Sequence, residues 1–191
     1  GREEATPRWA SLVAAAEELR GSVSRTRSTV RERAGGGEPF ADEDLSGTVA
    51  QELVAVSEIR VESAVEDVER AVDAGEHATA VVDAGIALAE SEAYRTAVRE
   101  IRDGEHRDVP TESSVRSAAN RAQTSVGEAV EGGGPLATRL VRPGVEMIGY
   151  VADRIEEGYG SVRRSQAELA YAALYADAAP AAAEFVRERL A

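Results

Sequence analysis

Apolar residues recur at steps of three and four positions along most of this chain. Between residues 7 and 33 the series includes Leu12, Leu19 and Val23, and the polar Thr26 keeps the same spacing. Such a series places apolar side chains on one face of an α-helix, as at the a and d positions of a coiled coil. The pattern therefore predicts a helix over 7–33 that packs through a single seam.

A valine-rich segment follows, over residues 44–74. Its β-branched residues would suit a strand, but its apolar residues do not alternate with polar ones. Val49, Leu53 and Val56 instead keep the helical spacing, and Asp44 can cap the N-terminus of a helix. A second helix is the better prediction for this segment.

Glycine and proline divide the rest of the chain. Two glycine triplets, 35–37 and 132–134, are each followed closely by proline, and Pro180 interrupts an alanine-rich stretch. We predict helices near 7–33, 44–74, 76–102, 112–131, 144–177 and 180–190. The predicted fold class is all-α, an elongated antiparallel bundle of five or six helices with coiled-coil-like seams, formed by a single domain over 1–191.

The helix over 144–177 is predicted from the longest continuous seam. This seam runs through Ile148, Ile155, Val162 and Leu169, with Gln166 as its polar member. Polar members of a seam restrict which helix can pair with it and in which register. The seam therefore favours a specific interaction with another helix.

The net charge of the chain is more informative about this protein than any sequence motif. The chain has 35 acidic and 22 basic residues, for a formal net charge of −13, and every basic residue is arginine. An acidic composition without lysine resembles that of proteins from salt-accumulating haloarchaea. At molar salt the Debye length falls to about 3 Å, which screens the self-repulsion of such a surface. We therefore expect a halophilic protein.

Several classes of chemistry are excluded by composition. There is no cysteine, hence no disulfide, thiol nucleophile or zinc–thiolate site, and no lysine for a Schiff base. Neither a nucleophile elbow nor a phosphate-binding loop is present. We predict no catalytic residue, no cofactor and no metal site, and expect that the protein is not an enzyme.

No run of eighteen apolar residues is present, so no transmembrane segment is predicted in this chain. A membrane anchor upstream of Gly1 stays open as an alternative. The expected location is accordingly either a cytoplasm at high salt or the soluble part of a membrane-anchored protein.

Both histidines, His77 and His106, stand in a Gly-Glu-His triplet. A shared metal site would need them close together, but a helix of about 27 residues separates the triplets by about 40 Å. We interpret Gly75 and Gly104 instead as the residues that end two successive helices.

Residues 20–33 form a basic stretch in this acidic chain, with five arginines and one acid, Glu32. Arg20, Arg27 and Arg31 share one helix face because they are spaced by seven and four. Phosphate or nucleic-acid binding is one interpretation, but no aromatic residues interleave and molar salt would weaken it steeply. We expect pairing with a protein partner, or with the acidic flank of the next helix around Glu58, Glu62, Glu66 and Glu69.

Tyrosines concentrate near the C-terminus of the chain. Tyr171 and Tyr175 are one helical turn apart, with small alanines around them that allow a close helix approach. They could belong to the core, or they could form a ligand pocket or a partner surface. The candidate ligand or partner residues are Tyr150, Tyr159, Tyr171 and Tyr175, together with Arg20, Arg27 and Arg31.

Two functions follow from these observations. The favoured one is a non-enzymatic helical interaction or scaffold module that binds a protein partner or a second copy of itself. The alternative is a small-ligand-binding or sensor domain with a pocket between helices near the tyrosines, where Glu168 or Asp177 would be the polar anchor. A closed pocket beside Tyr171 and Tyr175 would favour the alternative, and tightly packed rings would disfavour it.

Overall fold

The computed structural model of the chain describes residues 49–102, 109–130, 134–158 and 162–190. Nearly all of these residues are helical, and they include no strand. The described helices are α1 (Val49–Asp73), α2 (His77–Arg102), α3 (Glu112–Ala129), α4 (Gly134–Glu157) and α5 (Val162–Leu190). They pack against one another, which confirms the predicted all-α helical bundle. The helix predicted over 7–33 lies outside the described residues.

Consecutive helices of the bundle run antiparallel. The connection between α1 and α2 is three residues long, and the two helices are in contact along their lengths. At the interface of α4 and α5, Leu140 meets Tyr175 while Arg154 meets Glu168, so the chain directions are opposed. Helices α3 and α4 are opposed as well, since Gly127 faces Ala137 and Gln123 bonds to Thr138. The N-terminal turns of α1 and α5 meet at Glu52 and Arg164, so α1, α3 and α5 point one way and α2 and α4 point the other way.

Helix α5 is the centre of the bundle, since it contacts each of the other four helices. Residues 167–172 are all buried, so this stretch is covered on every side of the helix. A helix that is buried all round needs apolar or small side chains on all faces, and α5 supplies many alanines. Close approach is most evident at Gly85 of α2, where an added Cβ would come within 2.5 Å of the Val186 side chain.

The turn between α1 and α2 confirms the interpretation of the first Gly-Glu-His triplet. Gly75 has φ of +73°, a left-handed conformation that glycine adopts without strain. Its N–H donates to the Val72 carbonyl, and the Glu76 N–H donates to the Ala71 carbonyl, both at 3.0 Å. These two bonds make a Schellman motif that ends α1. The second triplet falls in 103–108, outside the described residues.

A single helix over 144–177 is a wrong prediction. The structure has two helices there, because α4 ends at Glu157 and Gly158 turns the chain with φ of +72°. The seam that suggested one helix is interrupted at the turn, where Ile155 and Val162 are 64% and 72% exposed. The apolar spacing in the sequence thus continues without a break across Gly158, although the chain reverses its direction there.

The prolines are also placed differently from the prediction. Pro143 lies inside α4, which begins ten residues before the predicted start at 144. Pro180 lies inside α5, so the separate helix predicted over 180–190 is part of α5. An internal proline removes one backbone hydrogen bond and costs about 3 kcal/mol. Burial of both helices against their neighbours outweighs that cost here.

The start of α3 agrees with the sequence. The Thr111 side chain accepts a hydrogen bond from the Ser114 N–H at 3.1 Å, which caps the helix as expected for threonine. In the part of the chain that the structure describes, no helix is long and apolar enough to cross a membrane.

Candidate functional site

Tyr171 and Tyr175 lie in the core of the bundle. They are 0% and 1% exposed, and their ring centroids are 6.4 Å apart in a tilted arrangement. The Tyr175 hydroxyl donates a hydrogen bond of 2.5 Å to the Leu140 carbonyl, in the turn of α4 that Pro143 interrupts. The Tyr171 hydroxyl has no hydrogen-bond partner among the described residues. Of the alternatives that the sequence leaves open for these two tyrosines, the structure shows the core, and neither ring is at the surface.

Because only one of the two hydroxyl groups is hydrogen-bonded, replacing tyrosine by phenylalanine should affect stability differently at positions 171 and 175. Tyr175→Phe removes the bond to Leu140, and we expect a loss of about 1 kcal/mol in the free energy of unfolding. Tyr171→Phe removes a buried hydroxyl without a partner, so we expect no loss or a gain of up to about 1 kcal/mol. Urea denaturation of both variants measures the difference. Equal destabilisation by the two substitutions would contradict the hydrogen bonding described above.

A buried carboxyl group interacts with Tyr175. Glu90 of α2 is 2% exposed, and its Oε2 has no hydrogen-bond partner among the described residues. Burial raises the pKa of Glu90 to about 8, and the positive charge of Arg60 on α1 lowers it by a smaller amount. Burial, and then the charge of Glu90, raises the pKa of Tyr175 as well. At neutral pH the Glu90 side chain is therefore mostly a neutral acid.

A network of ion pairs connects α1, α4 and α5. Glu168 of α5 is 6% exposed, and its carboxylate pairs with Arg154 of α4 and with Arg164 one turn earlier in α5. The Arg164 Nε lies 3.1 Å from Glu168, and its Nη1 lies 3.4 Å from Glu52 of α1. Two guanidinium groups offset the cost of burying the Glu168 carboxylate. The network fixes the position of the partly buried Arg154 side chain.

An open groove of about 390 Å³ lies beside this network. The residues that line it come from one face of α4 and from α5, and they are Met147, Tyr150, Asp153, Arg154, Glu157 and Glu168. Tyr150 is 55% exposed, whereas Met147 is buried. Three carboxylates face one arginine, so the groove is acidic with an aromatic ring at its edge. We call this feature the Tyr150 groove.

The groove contains two residues that the sequence suggests. Tyr150 is a candidate for a ligand or partner surface, and Glu168 is a candidate polar anchor. The structure does not bring them together with Tyr171 and Tyr175 at one pocket, since those two rings are in the core. Asp177, the other candidate anchor, is exposed. Tyr159, Arg20, Arg27 and Arg31 lie outside the described residues.

Glu90 and Arg154 are the charged residues that sequence reasoning missed. A signal for Glu90 was present, because it stands on the apolar row of α2 with Ile86, Ala93 and Ala97 at spacings of four, three and four. A carboxylate on such a row is placed in the core. Arg154 had no comparable signal, because its partner Glu168 lies on a different helix.

The described residues contain no group of three or more histidine, aspartate or glutamate side chains arranged to hold a metal ion. Several arginines of the described part pair with acids one turn away on the same helix, as Arg70 does with Asp67 and Arg116 with Glu112. Exposed pairs of this kind contribute only a few tenths of a kcal/mol each. They make the helix surfaces charged.

A family model described as Domain of unknown function (DUF8264) matches residues 9–188. The match extends over most of the chain and includes all five described helices except the last two residues of α5. No curated protein and no solved structure matches the sequence.

Proposed function

Since the chain belongs to the family of this domain of unknown function, we propose from its geometry that it is a non-enzymatic helical interaction module that works at high salt. The Tyr150 groove is its partner surface, and the partner is a second copy of the chain. The alternative, a small-ligand or sensor domain, has less support, because Tyr171 and Tyr175 fill the space that a ligand would need.

The observation that carries this proposal is the exposed Tyr150 ring beside the carboxylates of Asp153 and Glu157. The ring is 55% exposed, and Asp153 and Glu157 stand on the same face of α4. An aromatic ring next to carboxylates suits a planar guanidinium, which stacks on the ring while it pairs with the acids. Every basic residue of this chain is an arginine. A second copy of the chain therefore supplies the guanidinium group that the Tyr150 groove suits.

The arrangement of arginines on the same two helices is compatible with a symmetric pair. Arg142 of α4 and Arg163 of α5 are both exposed. In a two-fold dimer the same surface patch is used by both copies, so each copy offers a groove and an arginine. At molar salt the ion pairs are screened, and the stacking and apolar contacts carry more of the binding energy.

Gel filtration with light scattering tests the proposal on the full chain in 3 M KCl and in dilute buffer. We expect about twice the monomer mass of 20.2 kDa in 3 M KCl. Tyr150→Ala should return the protein to a monomer. Val145→Ala, which trims another exposed side chain of α4, is the control and should leave the mass unchanged. A monomer in both buffers would contradict self-association.

The same samples test the expectation of a halophilic protein. With a net charge of −13, self-repulsion is screened in 3 M KCl and strong in dilute buffer. We expect the thermal midpoint to fall by about 10 °C or more on transfer to dilute buffer. Equal thermal midpoints in the two buffers would contradict the high-salt role. Self-association through the Tyr150 groove would then be decided only by the molar mass from light scattering.

A further inference from the structure

The outer face of α1 combines an exposed apolar residue with negative charge. Helix α1 lies at the edge of the described bundle, where it packs mainly against α2 and α5. Its opposite side carries Ala55, Ile59, Glu62 and Glu66, all exposed. Steps of four, three and four place these side chains in one row along the helix. Ile59 is 56% exposed, although isoleucine is most often buried.

Further acids flank this row. Glu58 and Glu69 lie on one side of it, and Asp67 lies on the other. The nearby Arg70 is held by Asp67 at 3.1 Å. The row and its flanks, which we call the α1 face, therefore present a negative surface around an apolar contact point.

We propose that the arginine-rich segment 20–33 of the same chain docks on the α1 face. The segment has five arginines against one acid, so its charge is opposite to that of the face. In the helix predicted for this segment, Arg20, Arg27 and Arg31 form one row. The apolar row of Leu19, Val23 and Val30 lies beside it, about 90° around the helix. The apolar row meets Ile59 while the arginines meet the glutamates.

The chain between the two elements is long enough for this arrangement. Residues 34–48 can span about 50 Å when extended, and α1, with 25 residues, is about 37 Å long. A segment that precedes α1 can therefore lie alongside it in the antiparallel sense seen between the other consecutive helices. The family match begins at residue 9, so it includes this segment together with the bundle. Docking on α1 would add a sixth helix to the same fold.

Trypsin measures the docking directly, because the chain has no lysine and trypsin cleaves only after its arginines. We digest the full chain in 0.5 M KCl and follow cleavage after Arg25 and Arg33 by mass spectrometry. In the wild type we expect slow cleavage at both sites. Ile59→Asp removes the apolar contact and should speed cleavage at both sites at least tenfold. The matched control is Ile155→Asp, which changes an exposed isoleucine of α4 and should leave these rates unchanged.

A charge exchange separates docking from a general loss of structure. Glu62→Arg with Glu66→Arg should expose the segment, and adding Arg27→Glu with Arg31→Glu should restore slow cleavage after Arg25 and Arg33. Recovery to within threefold of the wild-type rate supports the pairing if Arg27→Glu with Arg31→Glu alone gives fast cleavage, because acids beside Arg25 and Arg33 also slow trypsin by themselves. The absence of any recovery would overturn it.

Other outcomes would overturn the proposal as well. Fast cleavage of the segment in the wild type would show that it is not docked. Protection that disappears on dilution would assign the α1 face to a second copy of the chain. Protection that appears only when an oligonucleotide is added would assign the arginines to nucleic acid.

Discussion

Raising the pH from 5 to 9 is expected to lower the free energy of unfolding of this protein, and Glu90→Gln is expected to remove most of that loss. In the folded chain burial holds the pKa of Glu90 at about 8, compared with its ordinary value of 4.5. The folded state therefore binds this proton more tightly than the unfolded state does. Stability contributed by the protonated carboxyl is complete below pH 4.5, falls as the pH rises from there, and is fully lost above about 8.

The size of the loss follows from the separation of the two pKa values. Each pKa unit corresponds to 1.36 kcal/mol, so the wild type should lose about 3–5 kcal/mol across this range. Glutamine is neutral at every pH and nearly the same size, so the Glu90→Gln variant should become more stable than the wild type above pH 8. Urea denaturation at pH 5, 7 and 9 measures the crossover.

The control for this experiment is Glu128→Gln, which changes an exposed glutamate of α3. It should leave the slope of stability against pH as in the wild type. Asp83 contributes a slope of the same sign, because burial raises its pKa against the lowering effect of Arg139. A Glu90→Gln variant with the full wild-type slope would show that the pH dependence comes from other groups.

Gly85→Ala is expected to destabilise the bundle by about 2–3 kcal/mol, although alanine is the better helix former. A Cβ at position 85 would come within 2.5 Å of the Val186 side chain and 3.3 Å of the Ala182 carbonyl oxygen. Valine is branched at Cβ and cannot rotate its methyl group away at low cost. Helices α2 and α5 must therefore move apart, and the contacts along their interface are weakened.

Gly149→Ala is the matched control, because this glycine is also inside a helix but an added Cβ meets nothing within 4 Å. It should stabilise the protein by about 0.5–1 kcal/mol. A double variant locates the clash. Val186→Ala opens the space that the new Cβ needs, so its combination with Gly85→Ala should cost less than the sum of the two single changes. Additive effects would place the cause of the destabilisation elsewhere.

Much of the fold is predictable from the sequence because contacts between residues a few positions apart determine where the helices begin and end. Gly75 ends α1 and Thr111 caps α3 through contacts within a few residues, so the sequence around each position contains the signal. The start of α4 is also signalled, since Pro135 follows a glycine triplet and proline favours the first turn of a helix. The predicted start at 144 does not use that signal, and α4 in fact begins ten residues earlier.

The remaining features depend on what each helix packs against. Pro143 and Pro180 stay within helices because packing of α4 and α5 against neighbouring helices outweighs the backbone hydrogen bonds that the prolines remove. The Tyr150 groove forms because Glu168, distant in sequence, holds Arg154 next to it. A pattern of apolar positions predicts that Tyr171 and Tyr175 share a face. Only the packing decides that this face is turned to the core.

The central position of α5 has a consequence for the synthesis of the protein. Helices α1 to α4 leave the ribosome before α5, and each of them packs against α5 in the finished bundle. Until α5 emerges, their inner faces are exposed to the cell, where they can associate with other apolar surfaces. The last described helix to be translated is thus the one on which closure of the whole core depends, and slow translation of 162–190 would prolong that exposed state.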